Sequence, residues 1–107
     1  MIVSITKIEL ISYSKLFAFF KFNGQIIAEL KQTNCKKYKV TGSLNLKVWY
    51  TMTLWENENE LNEFYRNGTH LEAMKKSKTF SSSIQSHRIQ NEDLINWKEA
   101  KKLFINN

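Results

Sequence analysis

The side chains in this sequence best suited to moving a proton or holding a metal are two histidines, His70 and His87, and one cysteine, Cys35. Neither histidine has a Cys, an Asp or a second His at a metal-ligand spacing, and Gly24, Gly42 and Gly68 stand too far apart to cradle a phosphate. No H-x-x-x-H pair, zinc knuckle or G-x-S-x-G elbow occurs, so no metal site is expected and standard hydrolase and nucleotide chemistry is unsupported. His70 offers more. It follows Thr69, which with Glu72 marks a helix start, and the free N–H groups and dipole there favour the neutral imidazole. A neutral imidazole at a pocket rim can accept or relay a proton, which makes His70 the candidate catalytic residue; a hydrogen bond holding the Gly68 turn is the structural alternative. His87 sits in a polar stretch, Ser81 to Arg88, where it either faces solvent or lines an internal cavity. Cys35 has no disulfide partner, which suits a reducing compartment, and as a lone thiol it reads as a small apolar filler. The carboxylates cluster in helix first turns, where capping accounts for them.

These residues must be positioned by elements that the patterning predicts in the order β-α-β-β-α-α-β-α. Ile2 to Leu10 is rich in β-branched residues and reads as a strand. From Ser14 to about Gln32 the apolar residues follow a helical period, although Asn23-Gly24 is also a strong hairpin signal; the helix formers Ala28 to Gln32 favour helix. Lys36 to Ser43 and Leu46 to Trp55 read as strands. In the second of these, Leu46, Val48, Tyr50, Met52 and Leu54 share one apolar face, while Trp49, Thr51, Thr53 and Trp55 share the other with Lys47. Asn57 with Glu60, Thr69 with Glu72 and Asn96 with Glu99 mark three helix starts, and Phe80 to Ile89 is a further strand. This order approaches the split βαβ arrangement of the ferredoxin-like class. It predicts an α+β fold with a four-stranded antiparallel sheet, helices on one face, and the Trp49 and Trp55 face left open for a two-fold partner.

At 107 residues, with 42% hydrophobic and 24% charged side chains, the chain is expected to form one domain over residues 1–107 with a real core. The net charge of +6 admits an acidic partner, but only Arg66 and Arg88 carry the guanidinium fork that clamps phosphate or reads guanine. Nucleic acid is therefore not the expected partner. Lys7, Glu9 and Lys15 interrupt the apolar N-terminus, and no run approaches the roughly 20 residues that span a bilayer. A cytoplasmic location without membrane insertion is expected.

The block from Trp49 to Ser77 resembles the small dimeric α/β-barrel proteins grouped with antibiotic biosynthesis monooxygenases, most nearly a bacterial branch similar to spheroidene monooxygenase. The shared features are T-x-T-x-W-E at Thr51 to Glu56, the acidic helix start, Phe64, and Gly68-x-His70 followed by Glu72-Ala73-Met74. The resemblance implies a ferredoxin-like protomer that forms a homodimeric barrel, with a cavity between sheet and helices. It also implies either an enzyme, a cofactor-independent or haem-dependent monooxygenase, or a non-catalytic small-molecule or haem-binding protein; the cofactor is unknown. On that reading an apolar or aromatic small molecule lies against Trp49, Thr51, Thr53, Trp55, Phe64, Tyr65, Met74 and His87, with His70 as the polar group. Phe64 and Met74 occupy the positions where the haem-degrading relatives carry Trp and His, and Ile2 to Leu10 lacks their Asn.

Overall fold

The structure, a computed structural model, describes residues 1–66 and 68–104, and the side chains of Thr69, His70 and Ala73 lie outside that description. Its elements are β1 (Ile2–Leu10), a short 3-10 turn (Tyr13–Lys15), α1 (Leu16–Leu30), β2 (Lys37–Gly42), β3 (Val48–Trp55), α2 (Glu58–Arg66), α3 (Gly68–Ser77), β4 (Ser81–Gln90) and α4 (Trp97–Lys102). The strands form one sheet in the order β2-β3-β1-β4 with every neighbouring pair antiparallel, which is the ferredoxin-like arrangement.

Local chemistry explains most boundaries. The Asn57 Oδ1 accepts the Glu60 amide at 3.0 Å ahead of α2, and the Asn96 Oδ1 accepts the Glu99 amide at 2.8 Å ahead of α4, each satisfying an orphan N–H of a first turn. The third expected start lies differently, because α3 begins at Gly68 and takes Thr69 and His70 into its first turn. Helix prevails at Asn23-Gly24, since Phe19, Phe22, Ile26 and Leu30 bury one stripe of α1 and a hairpin would break it. Leu46 does not extend β3. It sits at φ 59° in the β2–β3 turn, where the Asn45 Oδ1 accepts the Lys47 amide and the Ser43 Oγ accepts the Val48 amide.

Each face of the sheet has its own core. On one, Ile2, Ile8, Leu10 and Trp55 pack with Phe19, Phe22, Ile26 and Leu30 of α1, Leu61 and Phe64 of α2, and Phe80. On the other, Val3, Ile5, Tyr50, Met52 and Leu54 meet Ala100 and Phe104 of the C-terminal segment. Two expectations are corrected here. The Trp49 and Trp55 face is not open, because α1 to α3 of the same chain cover it and leave Trp55 fully buried. Nor are the helices confined to one face, since α4 lies on the other.

Candidate functional site

Between the sheet and α1 to α3 lies a cavity of about 110 Å³. Strand register determines its floor. Across β4, β1 and β3 the directly opposed residues form rows: Ile84, Ile8 and Trp49; then Ser86, Thr6 and Thr51; then Arg88, Ser4 and Thr53. Ser86, Thr6, Thr51, Ser4 and Thr53 all reach the cavity, so its floor carries a patch of hydroxyls, bordered by Ile8 and Ile84. The roof is mostly apolar, from Phe22, Ile26 and Leu30 spaced along α1, with Phe64 from α2 and Met74 from α3, and the Asn23 amide adds a polar side chain to it.

The hydroxyl patch is organised by hydrogen bonds. The Tyr65 hydroxyl, carried in from α2, lies 2.8 Å from the Ser4 Oγ, a spacing at which either oxygen can donate to the other. The Thr53 Oγ1 accepts the indole N–H of Trp55 at 2.8 Å. At the edge, the Arg88 guanidinium lies 5.3 Å from the Tyr65 ring centre and donates to the Asn62 Oδ1 at 2.9 Å, which packs the ring against β4. A polar group entering the cavity therefore meets hydroxyls that donate and accept.

Of the residues singled out in the sequence, Thr51, Thr53, Phe64, Tyr65 and Met74 come together around this cavity. Three others are placed elsewhere. Trp55 lies under α2, its ring centre 5.4 Å from that of Phe64, and supports the wall without lining it. Trp49 packs at the end of the sheet against Phe19 and Phe20, with centroid separations of 5.0 and 5.4 Å. His87 pairs with Ile5 and projects to the opposite face, where its ring lies 4.7 Å from that of Phe104, so it does not line the cavity. The alternation that put Ser86 inside put His87 outside. The His70 side chain lies outside the described residues. Cys35 does not line the cavity, and burial pushes its thiol pKa up, away from nucleophilic use.

Ser4, Thr6 and Ser86 were missed. Their signal was available as S-x-T in β1 and S-x-R in β4, polar residues on alternate positions, but which face they shared required the register. Among the described residues no group of three His, Cys, Asp or Glu side chains could hold a metal ion. At about 110 Å³ the cavity is smaller than the roughly 300–1,000 Å³ of pockets that take drug-sized ligands.

No protein-family model matches the sequence, and no curated protein matches it. Solved structures do match in fold. A Deinococcus radiodurans protein to which antibiotic biosynthesis monooxygenase activity is provisionally attributed superposes with a TM-score of 0.79 at 15% identity, over 90% of this chain and 97% of that one. A conserved protein from Methanosarcina mazei gives 0.77 at 17% identity, over 85% and 92%. SnoaB, a cofactor-independent oxygenase from Streptomyces nogalater, gives 0.75 at 5% identity, over 88% and 95%. The chain thus has the fold of antibiotic biosynthesis monooxygenase-like proteins.

Proposed function

We propose that the protein is a monooxygenase-like enzyme that acts, as a cytoplasmic homodimer, on a small aromatic or apolar molecule held in the cavity. The observation that supports this reading is the make-up of the site, with five small hydroxyl side chains clustered on a floor bordered by Ile8 and Ile84, and a mostly apolar roof of α1, Phe64 and Met74 above. At about 110 Å³ the cavity is somewhat smaller than the roughly 150 Å³ apolar cavity that holds benzene, so a single ring is the largest ligand it would take, with some side-chain adjustment. Ring hydroxyls would bond to the floor while the ring face packs on the roof. Tyr65 and Ser4 would hold or move the substrate proton, and His70, in the first turn of α3, remains the proposed catalytic polar group.

A reaction without a cofactor needs a substrate that supplies its own electrons. A hydroquinone meets that requirement: one atom of O₂ enters the ring, the other leaves as water, and a hydroxyquinone results. The test supplies hydroquinone and labelled O₂ and follows label in the product together with thermal melting. Turnover above autoxidation should fall at least tenfold in Tyr65→Phe and His70→Ala, with melting close to wild type. Leu61→Ala, a fully buried core truncation, should instead lose roughly 2–5 kcal/mol of stability. Binding of the ring without label incorporation would replace this reading by that of a non-catalytic small-molecule-binding protein.

A further inference from the structure

We propose that the end of the molecule built from the β2–β3 turn and the start of α1 docks on the surface of an anionic lipid bilayer. Large apolar side chains are exposed there: Phe17 is 88% exposed, Leu44 106%, Tyr13 54%, Ile11 51%, Phe20 49% and Leu46 44%. They form one patch. Trp49 joins its two halves, with its ring edge-on to Phe20 at 5.4 Å and its indole N–H donated to the Leu46 carbonyl at 2.8 Å. The Lys47 ammonium lies 5.0 Å from the Tyr13 ring centre, and the Leu10 amide bonds the Lys47 carbonyl at 2.7 Å, which ties the turn to the chain entering α1.

The charge of the patch selects its partner. Lys15, Lys21 and Lys47 flank it, and neither residues 10–28 nor residues 36–55 contain an Asp or Glu. Glu9, just outside, is paired with Lys7 at 3.4 Å. A second copy seated two-fold on this surface would set lysine against lysine with no carboxylate between them. Phosphates of a nucleic acid would satisfy the lysines and leave Leu44, Leu46 and Ile11 against a polar backbone. The headgroup region of a bilayer satisfies both, with lysines at the phosphates and apolar tips at the acyl boundary. Among the described residues no helix is long and apolar enough to cross a membrane, so the contact is superficial.

The experiment sediments the full chain with vesicles of phosphatidylcholine alone and of equal parts phosphatidylcholine and phosphatidylglycerol. Binding is expected only to the anionic vesicles, and it should weaken with salt. Phe17→Ser and Leu44→Ser should each lower partitioning about tenfold, and Lys21→Gln and Lys47→Gln about fivefold each. Melting should stay at the wild-type value for the two exposed apolar substitutions. Absence of binding to anionic vesicles, or equal binding by the Phe17→Ser, Leu44→Ser double variant, overturns the proposal. So does a change in oligomeric state of that double variant without vesicles, which would assign the patch to a contact between copies. Vesicle binding needs no turnover, so its outcome is independent of the enzymatic reading.

Discussion

Glu29 is half-buried at the end of α1, beside the core residues Ile26 and Leu30. Its carboxylate oxygens are shielded from water, and among the described residues neither has a hydrogen-bond partner. It follows the buried stripe of α1 between Ile26 and Leu30, and burial raises its pKa above the ordinary carboxylate value. The folded chain therefore holds a proton that the unfolded chain has already released, and stability falls as the pH rises through that interval. Glu29→Gln removes the ionisation. Its melting temperature should exceed that of the wild type at pH 7, and the gap should close as the pH is lowered towards about 4. A gap that stays constant over that range would show that ionisation is not its source.

At the scale of elements, two glycines with opposite roles separate propensity from packing. Gly24 lies within α1, and a Cβ built on it meets nothing within 4 Å. Gly24→Ala should therefore stabilise the fold by roughly 0.5–1 kcal/mol, through lower backbone entropy in the unfolded chain and better helix propensity. Gly42 sits opposite Trp49 in the β2–β3 ladder, and a Cβ there would lie 2.8 Å from the indole ring. Gly42→Ala must push the indole off Phe19 and Phe20, and should cost about 1–3 kcal/mol by overpacking. Denaturant melts of the two variants check both signs, and near-ultraviolet circular dichroism should change for Gly42→Ala alone.

For the whole molecule, the sheet face opposite the cavity matters most. The segment leading into α4 is tied across it: Lys37 pairs with Asp93 at 3.1 Å, and the Lys39 ammonium donates to the Ile95 carbonyl at 2.6 Å while facing the Trp97 ring. Phe104 and Ala100 then close over Val3, Ile5 and Tyr50. Beyond this cover, Val48 and Ile89 are half-buried, and His87 is exposed beside Phe104. The homodimer we propose uses this margin, not the Trp49 and Trp55 face, which is already filled. Sedimentation should give twice the 12.7 kDa protomer mass, with an interface on the order of 1,600 Å². His87→Glu should shift the species towards monomer without lowering the melting temperature of the protomer, and a 12.7 kDa species already present in the wild type at micromolar concentration would dispose of the dimer.

The element order, the two Asn caps and the helical stripe of α1 were legible in the sequence because they are local: a cap bonds three residues ahead, and a stripe repeats within two turns. Thr51 and Thr53 share a face by alternation along one strand, while Phe64, Tyr65 and Met74 were singled out through the resemblance of the Trp49 to Ser77 block to a known family. Ser4, Thr6 and Ser86 escaped because only the pairing of β1 with β3 and β4 lines them up with Thr51 and Thr53, and a strand pattern says which residues share a face but not which face turns toward the helices. The same ambiguity left the Trp49 and Trp55 face apparently uncovered. Which side α1 crosses and where α4 returns depend on contacts between residues far apart in the chain, and those decisions made the tryptophans a core, sent His87 away from the cavity and left the hydroxyls inside it.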